Sequence, residues 1–207
     1  MKDERIIIEA GSKKEIEKLG EKKGEKYGEE LDVKIQMLRN PRLVMLGIPE
    51  ETTMGNARET LMKQNPELNL DNAILEPKYS YTTKRGNRSL VIEVDSRTRI
   101  KLLQTRVKIG WTVCKLDDYI EAKRCFISSC YNHSHRKCKG EETCPLCAGN
   151  YKLKECTTPT SEYKCVNCMV NNKHHPTNLM DTAHSSLDKK CDSLKAVLDK
   201  YKRNTDY

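Results

Sequence analysis

The chain has 207 residues, with 38 Lys+Arg against 30 Asp+Glu, ten Cys and one Phe. Hydrophobic residues make up 36%, about 41% with the ten Gly counted. That is below the ~45–50% usual for a globular domain and disfavours one large core. No stretch approaches ~18 apolar residues, so no membrane-spanning helix is expected. The start Met1-Lys2-Asp3-Glu4-Arg5 has no apolar signal-peptide core, so secretion is not expected either.

In chain order, residues 1–38 echo a later segment. With the numbering shifted by 84, Ile6-Ile7-Ile8-Glu9 falls on Leu90-Val91-Ile92-Glu93, and Ser12 falls on Ser96. Ile16 and Leu19 fall likewise on Ile100 and Leu103. Both stretches read as a strand, a Ser cap and a helix, and Leu31-Asp32-Val33-Lys34-Ile35 supplies an alternating strand afterwards. The expectation for 1–38 is a βαβ half-domain, the second half of a repeat unit whose first half is missing.

Residues 41–119 read as one α+β domain. Leu43-Val44-Met45-Leu46 is a short apolar strand stopped by Gly47 and Pro49. Thr53 is the expected N-cap of a helix with Met54, Ala57 and Leu61 on one face, ended by Asn65-Pro66. A strand over 74–81 and another over 89–94 flank the turn Lys84-Arg85-Gly86-Asn87. Ser96 is the expected cap of a second helix with Ile100, Leu103 and Val107 inward. The alternation of Ile109, Trp111 and Val113 predicts the last strand. This order, βαββαβ, is the ferredoxin-like arrangement, which is also that of RNA-recognition domains.

Nine of the ten Cys fall between 125 and 191, and residues 123–207 hold 15 Lys/Arg against 9 Asp/Glu. In a reducing compartment, clustered Cys bind metal more often than they form disulfides. Zinc takes four thiolate or imidazole ligands in a tetrahedron, and a C-x2-C turn supplies two of them. Three candidate modules follow over 123–192. The first has Cys125, His133 and Cys138, with Ser128 where a second Cys would stand and Cys130 as a possible substitute. The second has Cys144, Cys147 and Cys156, with Tyr151 where a His would complete it; water or His135 is a candidate fourth ligand. The third, Cys165, Cys168, His184 and Cys191, has all four ligands, across a loop that also carries His174 and His175. Repeated C-x2-C is a ligand pattern, and no nucleophile turn accompanies it, so an enzyme is not expected. Residues 193–207 form an expected C-terminal helix, with Leu194, Val197, Leu198 and Tyr201 at helical spacing.

Basic zinc modules suit single-stranded RNA or DNA: cations neutralise phosphates and an exposed aromatic stacks on a base. Phe126, flanked by Lys123 and Arg124, is the expected stacking platform, with Arg136, Lys137 and Lys139 as phosphate contacts. On the α+β domain, the places where stacking aromatics would be expected hold Val44, Asn87, Ser89 and Ile92. That sheet therefore reads as a packing or assembly surface, with Tyr79 and Tyr81 as a weaker route to RNA.

Taken together, Pro41-Arg42-Leu43-Val44, Gly47-Ile48-Pro49-Glu50, Gln64-Asn65-Pro66 and Val91-Ile92-Glu93-Val94 carry a family resemblance. Lys108-Ile109-Gly110-Trp111, Arg124-Cys125-Phe126, Thr143-Cys144-Pro145-Leu146-Cys147 and His184-Ser185-Ser186-Leu187 extend it. The chain resembles the gag-like proteins from the first open reading frame of arthropod non-LTR retrotransposons. The resemblance implies RNA-recognition-like domains followed by three CCHC zinc knuckles that coat and chaperone the element's RNA. It also implies a ribonucleoprotein in the cytoplasm or nucleus, self-association, and a reverse transcriptase encoded separately as partner. Ser128 and Tyr151 depart from the knuckle pattern. With the missing half-domain, they imply a truncated, partly decayed copy. The alternative expectation is a protein–protein assembly module in which zinc is only structural.

Overall fold

The computed structural model describes residues 13–26, 38–84 and 86–207, and the chain divides into two units, Met1–Leu38 and Arg39–Tyr207. In the first, α1 spans Lys13–Lys26, with Ile16 half-buried and Leu19 exposed. The strands expected at 6–9 and 31–35, and the cap Ser12, lie outside the described residues.

The second unit is α+β with an antiparallel sheet. β1 (Arg42–Leu46) is followed by α2 (Ala57–Gln64), β2 (Leu75–Thr82), β3 (Arg88–Val94) and α3 (Ser96–Gln104). Three short strands come next: β4 (Val107–Ile109), β5 (Thr112–Cys114) and β6 (Leu116–Asp118). The main sheet has the order β2-β3-β1-β6, antiparallel throughout, and β4 and β5 form a separate hairpin. Side chains alternate across a strand, so β1 and β3 each present two faces. Leu43, Met45, Leu90, Ile92 and Val94 turn to one face and join Ala57 and Leu61 of α2 and Leu102 of α3 in the core. Cys114, the cysteine apart from the others, is buried in that same core.

The opposite face aligns Tyr79, Val91 and Val44 across β2, β3 and β1. The Tyr79 ring lies 6.5 Å from Tyr81 and meets Tyr119 edge-on at 6.0 Å. Ile92, expected at a position where a base would stack, faces the core instead, and Ser89 is buried. A tyrosine cluster therefore occupies this face. Tyr119, which continues the ladder through a bond from its amide to the Arg42 carbonyl, gave no signal in the sequence.

Several expected boundaries are corrected. The helix expected from Thr53 begins a turn later: the Thr53 amide donates to Asn56 Oδ1 at 2.7 Å, and Asn56 is the N-cap. Ser96 does not cap α3, because Asp95 accepts from the Thr98 amide at 2.9 Å. Leu103 packs against the core as expected, beside the fully buried Leu102, but Ile100 is 49% exposed and Val107 is buried from a strand rather than a helix. The last strand is not 109–113. Gly110 turns the chain with φ +59, and a Cβ there would press on the Pro49 ring at 2.9 Å. This leaves Trp111 wholly exposed at the hairpin tip, and β6 enters the sheet instead. Asn65 does end α2, and it also works at long range: its buried amide donates to the Leu61 and Lys108 carbonyls at 2.8 Å and accepts from the Lys108 amide.

Beyond β6, the chain runs through turns, three single-turn 3-10 helices and two α-helices, α4 (Val166–His174) and α5 (Asp192–Arg203). The expected C-terminal helix is present as α5. Leu194 packs on the Cys165, Cys168 and Cys191 cluster. At the other end of the helix, the amide of Arg39 bonds the Asn204 carbonyl at 2.9 Å and its guanidinium lies over the Tyr201 ring. Among the described residues, no helix is long and apolar enough to cross a membrane.

Candidate metal centres

All ten cysteines are free, and backbone amides of the surrounding turns reach several of the sulfurs between Cys125 and Cys191. The Ile127 amide reaches Cys125 Sγ at 3.4 Å, and the amides of Leu146 and Cys147 donate to Cys144. The Cys168 amide does the same for Cys165. Such donors stabilise thiolate, the form that binds metal.

Three groups result, each with ligand atoms within 4.8 Å of one another. The third group is complete: Cys165, Cys168, His184 and Cys191. Its Sγ atoms lie 3.6 Å (Cys165–Cys191) and 3.5 Å (Cys168–Cys191) apart, and His184 Nε2 is 3.7 Å from Cys168 Sγ. A tetrahedron with Zn–S of ~2.3 Å has edges of ~3.8 Å, whereas a disulfide would need ~2.05 Å. These spacings suit ligands around an ion. Cys165 sits at the N-cap of α4 and Cys191 at the N-cap of α5, so two positive helix ends face the thiols. The hydrogen bond between Cys165 and Cys191 holds Cys165 well below the usual thiol range and pushes Cys191 up. The hydroxyls of Ser186 and Ser193 donate to Cys165 and Cys168, at 3.6 and 3.3 Å. His174 and His175 lie exposed at the end of α4 and take no part.

The first group is Cys125, His133 and Cys138. Ser128, at the place of the missing cysteine, puts its hydroxyl 3.2 Å from His133 Nε2. His133 Nδ1 lies 3.3 Å from the Tyr131 carbonyl, which can only accept; the Nδ1–H tautomer therefore leaves Nε2 free to ligate. Hydrogen bonding from Ser128 lowers the Cys138 thiol below its ordinary range. The expected substitute, Cys130, is corrected: it is outside the group. Its carbonyl is tied to the Cys125 amide at 2.8 Å after Ser129 turns with φ 56, and burial raises its thiol.

The second group is Cys144, Cys147 and Cys156, with Cys147 and Cys156 sulfurs 3.8 Å apart. His135 does not join it; its ring lies 6.1 Å from Phe126 instead. Burial pushes the Cys147 thiol up, but hydrogen bonds from Tyr151 and Thr158 outweigh this and bring it down to about 6.

The groups interlock. Asn167, between the two cysteines that bracket the start of α4, accepts from the Tyr131 amide and donates to the Ser129 carbonyl, both at 3.0 Å. The Tyr131 hydroxyl donates to the Ser186 carbonyl at 2.9 Å, and the Ser186 amide bonds the Pro145 carbonyl. A groove of about 560 Å³ runs along this junction, lined by Lys123, Arg124, Phe126, Tyr131, His135 and Leu194 among others. Phe126 is 82% exposed at its edge, so it is not part of a small core around the metal. Lys123, Arg136, Lys137 and Lys139 are exposed and Arg124 is half-exposed; none is in an ion pair among the described residues.

No protein-family model, curated protein or solved structure matches the chain. The cysteine and histidine geometry therefore supports metal binding on its own, with zinc the plausible ion.

Proposed function

We propose that the chain is a stoichiometric nucleic-acid-binding protein whose zinc modules present a basic, aromatic surface to single-stranded RNA or DNA. The observation that carries this reading is Phe126, 82% exposed beside the first metal group and close to cations that carboxylates do not neutralise. A ring in that position offers a stacking face, and the cations offer phosphate contacts. A gag-like origin rests on the motifs quoted above, and with it the packaging of element RNA, a reverse-transcriptase partner and a ribonucleoprotein location. For the α+β domain, the order β2-β3-β1-β6 with α2 and α3 as connections supports a ferredoxin-like reading in which β6 fills the fourth strand's place.

A second reading, protein–protein assembly, is favoured by one observation: Trp111 and Val113 project from the β4–β5 hairpin, exposed at 101% and 62%. Exposed apolar side chains of that size suit a partner surface.

Fluorescence anisotropy of a labelled single-stranded RNA tests the first reading. Affinity is expected to fall steeply between ~50 and ~200 mM salt, and Phe126→Ala to weaken binding by ~1–3 kcal/mol. Salt-independent binding overturns the proposal, and an unchanged affinity in the variant removes the stacking role.

A further inference from the structure

The second metal group lacks a nitrogen ligand, and the structure puts an oxygen in its place. Cys144, Cys147 and Cys156 supply three converging sulfurs. The Tyr151 hydroxyl lies 2.8 Å from Cys147 Sγ and 3.9 Å from Cys156 Sγ. These values bracket the ~3.5 Å expected between an oxygen and a sulfur on one tetrahedral zinc, from Zn–O of ~2.0 Å and Zn–S of ~2.3 Å. The ring is held in this pose from both ends. Gly149 lies so close beneath it that a Cβ there would run into the ring, and the Tyr151 amide bonds the Gly149 carbonyl at 2.9 Å. At the far end, Thr158 Oγ1 is 3.1 Å from the hydroxyl.

We propose that Tyr151 is the fourth ligand of this group, binding Zn²⁺ through its phenolate oxygen to make a Cys3Tyr site. The proposal rests on the reading of the thiol groups as zinc positions. Binding exchanges the phenol O–H bond for an O–Zn bond and releases the proton to solvent, as each thiol ligand releases its own; nothing is oxidised or reduced. In the competing arrangement, Tyr151 stays a phenol that donates to a thiolate while water holds the fourth corner.

The test loads the metal-free, reduced full-length chain with Zn²⁺ and follows the ultraviolet band of coordinated phenolate, with zinc counted by native mass spectrometry. The parent chain is expected to develop about one tyrosinate equivalent, and Tyr151→Phe none, with zinc affinity at this group lowered roughly tenfold or more. Tyr151→His, which supplies an imidazole instead, is expected to keep the zinc without the band. Zinc bound with no tyrosinate band, or with the same band in Tyr151→Phe, overturns the proposal and leaves the zinc reading standing. A chain that binds no zinc overturns both.

Discussion

With zinc as the ion proposed for the three groups, a chelator is expected to unfold the region from Cys125 to α5 while the main sheet survives. The two regions are stabilised differently. The sheet closes on Leu43, Met45, Leu61, Leu90 and Leu102. The other region's buried cluster is Cys165, Cys168 and Cys191, with only Tyr131, Met180 and Leu194 packed around it. Without an ion, those sulfurs form a small and partly charged core. A structural zinc site contributes on the order of 10 kcal/mol of folding free energy at neutral pH, so its removal exceeds any single contact there. Because Cys191 is the N-cap of α5, the packing of that helix is expected to loosen as well. Hydrogen exchange with and without chelator checks this: amides near Cys165 and Cys191 lose protection, and those of β1 and β3 keep theirs. Cys168→Ser is expected to give the same pattern at the third group. Acid acts in the same direction, because protons compete with zinc for thiolate and imidazole.

The second large effect is expected from Leu90→Ala. Leu90 lies in β3, which pairs on both sides with β1 and β2, and its side chain is wholly buried. Truncation there removes apolar contacts and leaves a cavity, at a cost of ~2–5 kcal/mol. That is a large share of the ~5–15 kcal/mol that holds a typical domain. Trp111→Ala, although it removes a larger side chain, is expected to change stability by less than about 0.5 kcal/mol because the indole touches solvent alone. Urea unfolding of the two variants, followed by a signal from the sheet, separates them. Comparable losses in both would contradict the described core.

The regular part of the chain was legible where apolar residues alternate within one element. Both central strands, the stop at Asn65-Pro66 and the helix after 96 follow from local pattern. The misplacements arise where one residue redirects the chain. Alternation runs unbroken through Ile109, Trp111 and Val113, but Gly110 folds it into a hairpin. The strand that joins the sheet, Leu116–Asp118, has a single apolar residue and so no periodic signal. Cap positions shifted by one to three residues because Thr53 and Asn56 bond each other's amides ahead of α2, while Asp95 takes the Thr98 amide and the Ser96 hydroxyl turns to Asp206.

The metal groups were legible from C-x2-C spacing, and so was the absence of a fourth standard ligand at Ser128 and Tyr151. Where those hydroxyls point was not, because side-chain direction depends on turns set by Gly149, Ala148 and Ser129. Nor does spacing expose the links that join the groups. Asn167, Tyr131 and Ser186 are polar residues with no motif of their own, yet they bind the first group to the third. Those links frame the groove: Tyr131 lines it and bonds both Asn167 and Ser186. Zinc at the third group is therefore expected to order the surface on which Phe126 stands.

Native mass spectrometry of the purified, reduced chain tests the central claim, that metal rather than an apolar core organises residues 125–191. The three ligand groups predict three zinc ions on the folded chain. A folded chain, with α4 and α5 protected from exchange and no zinc bound, would contradict it.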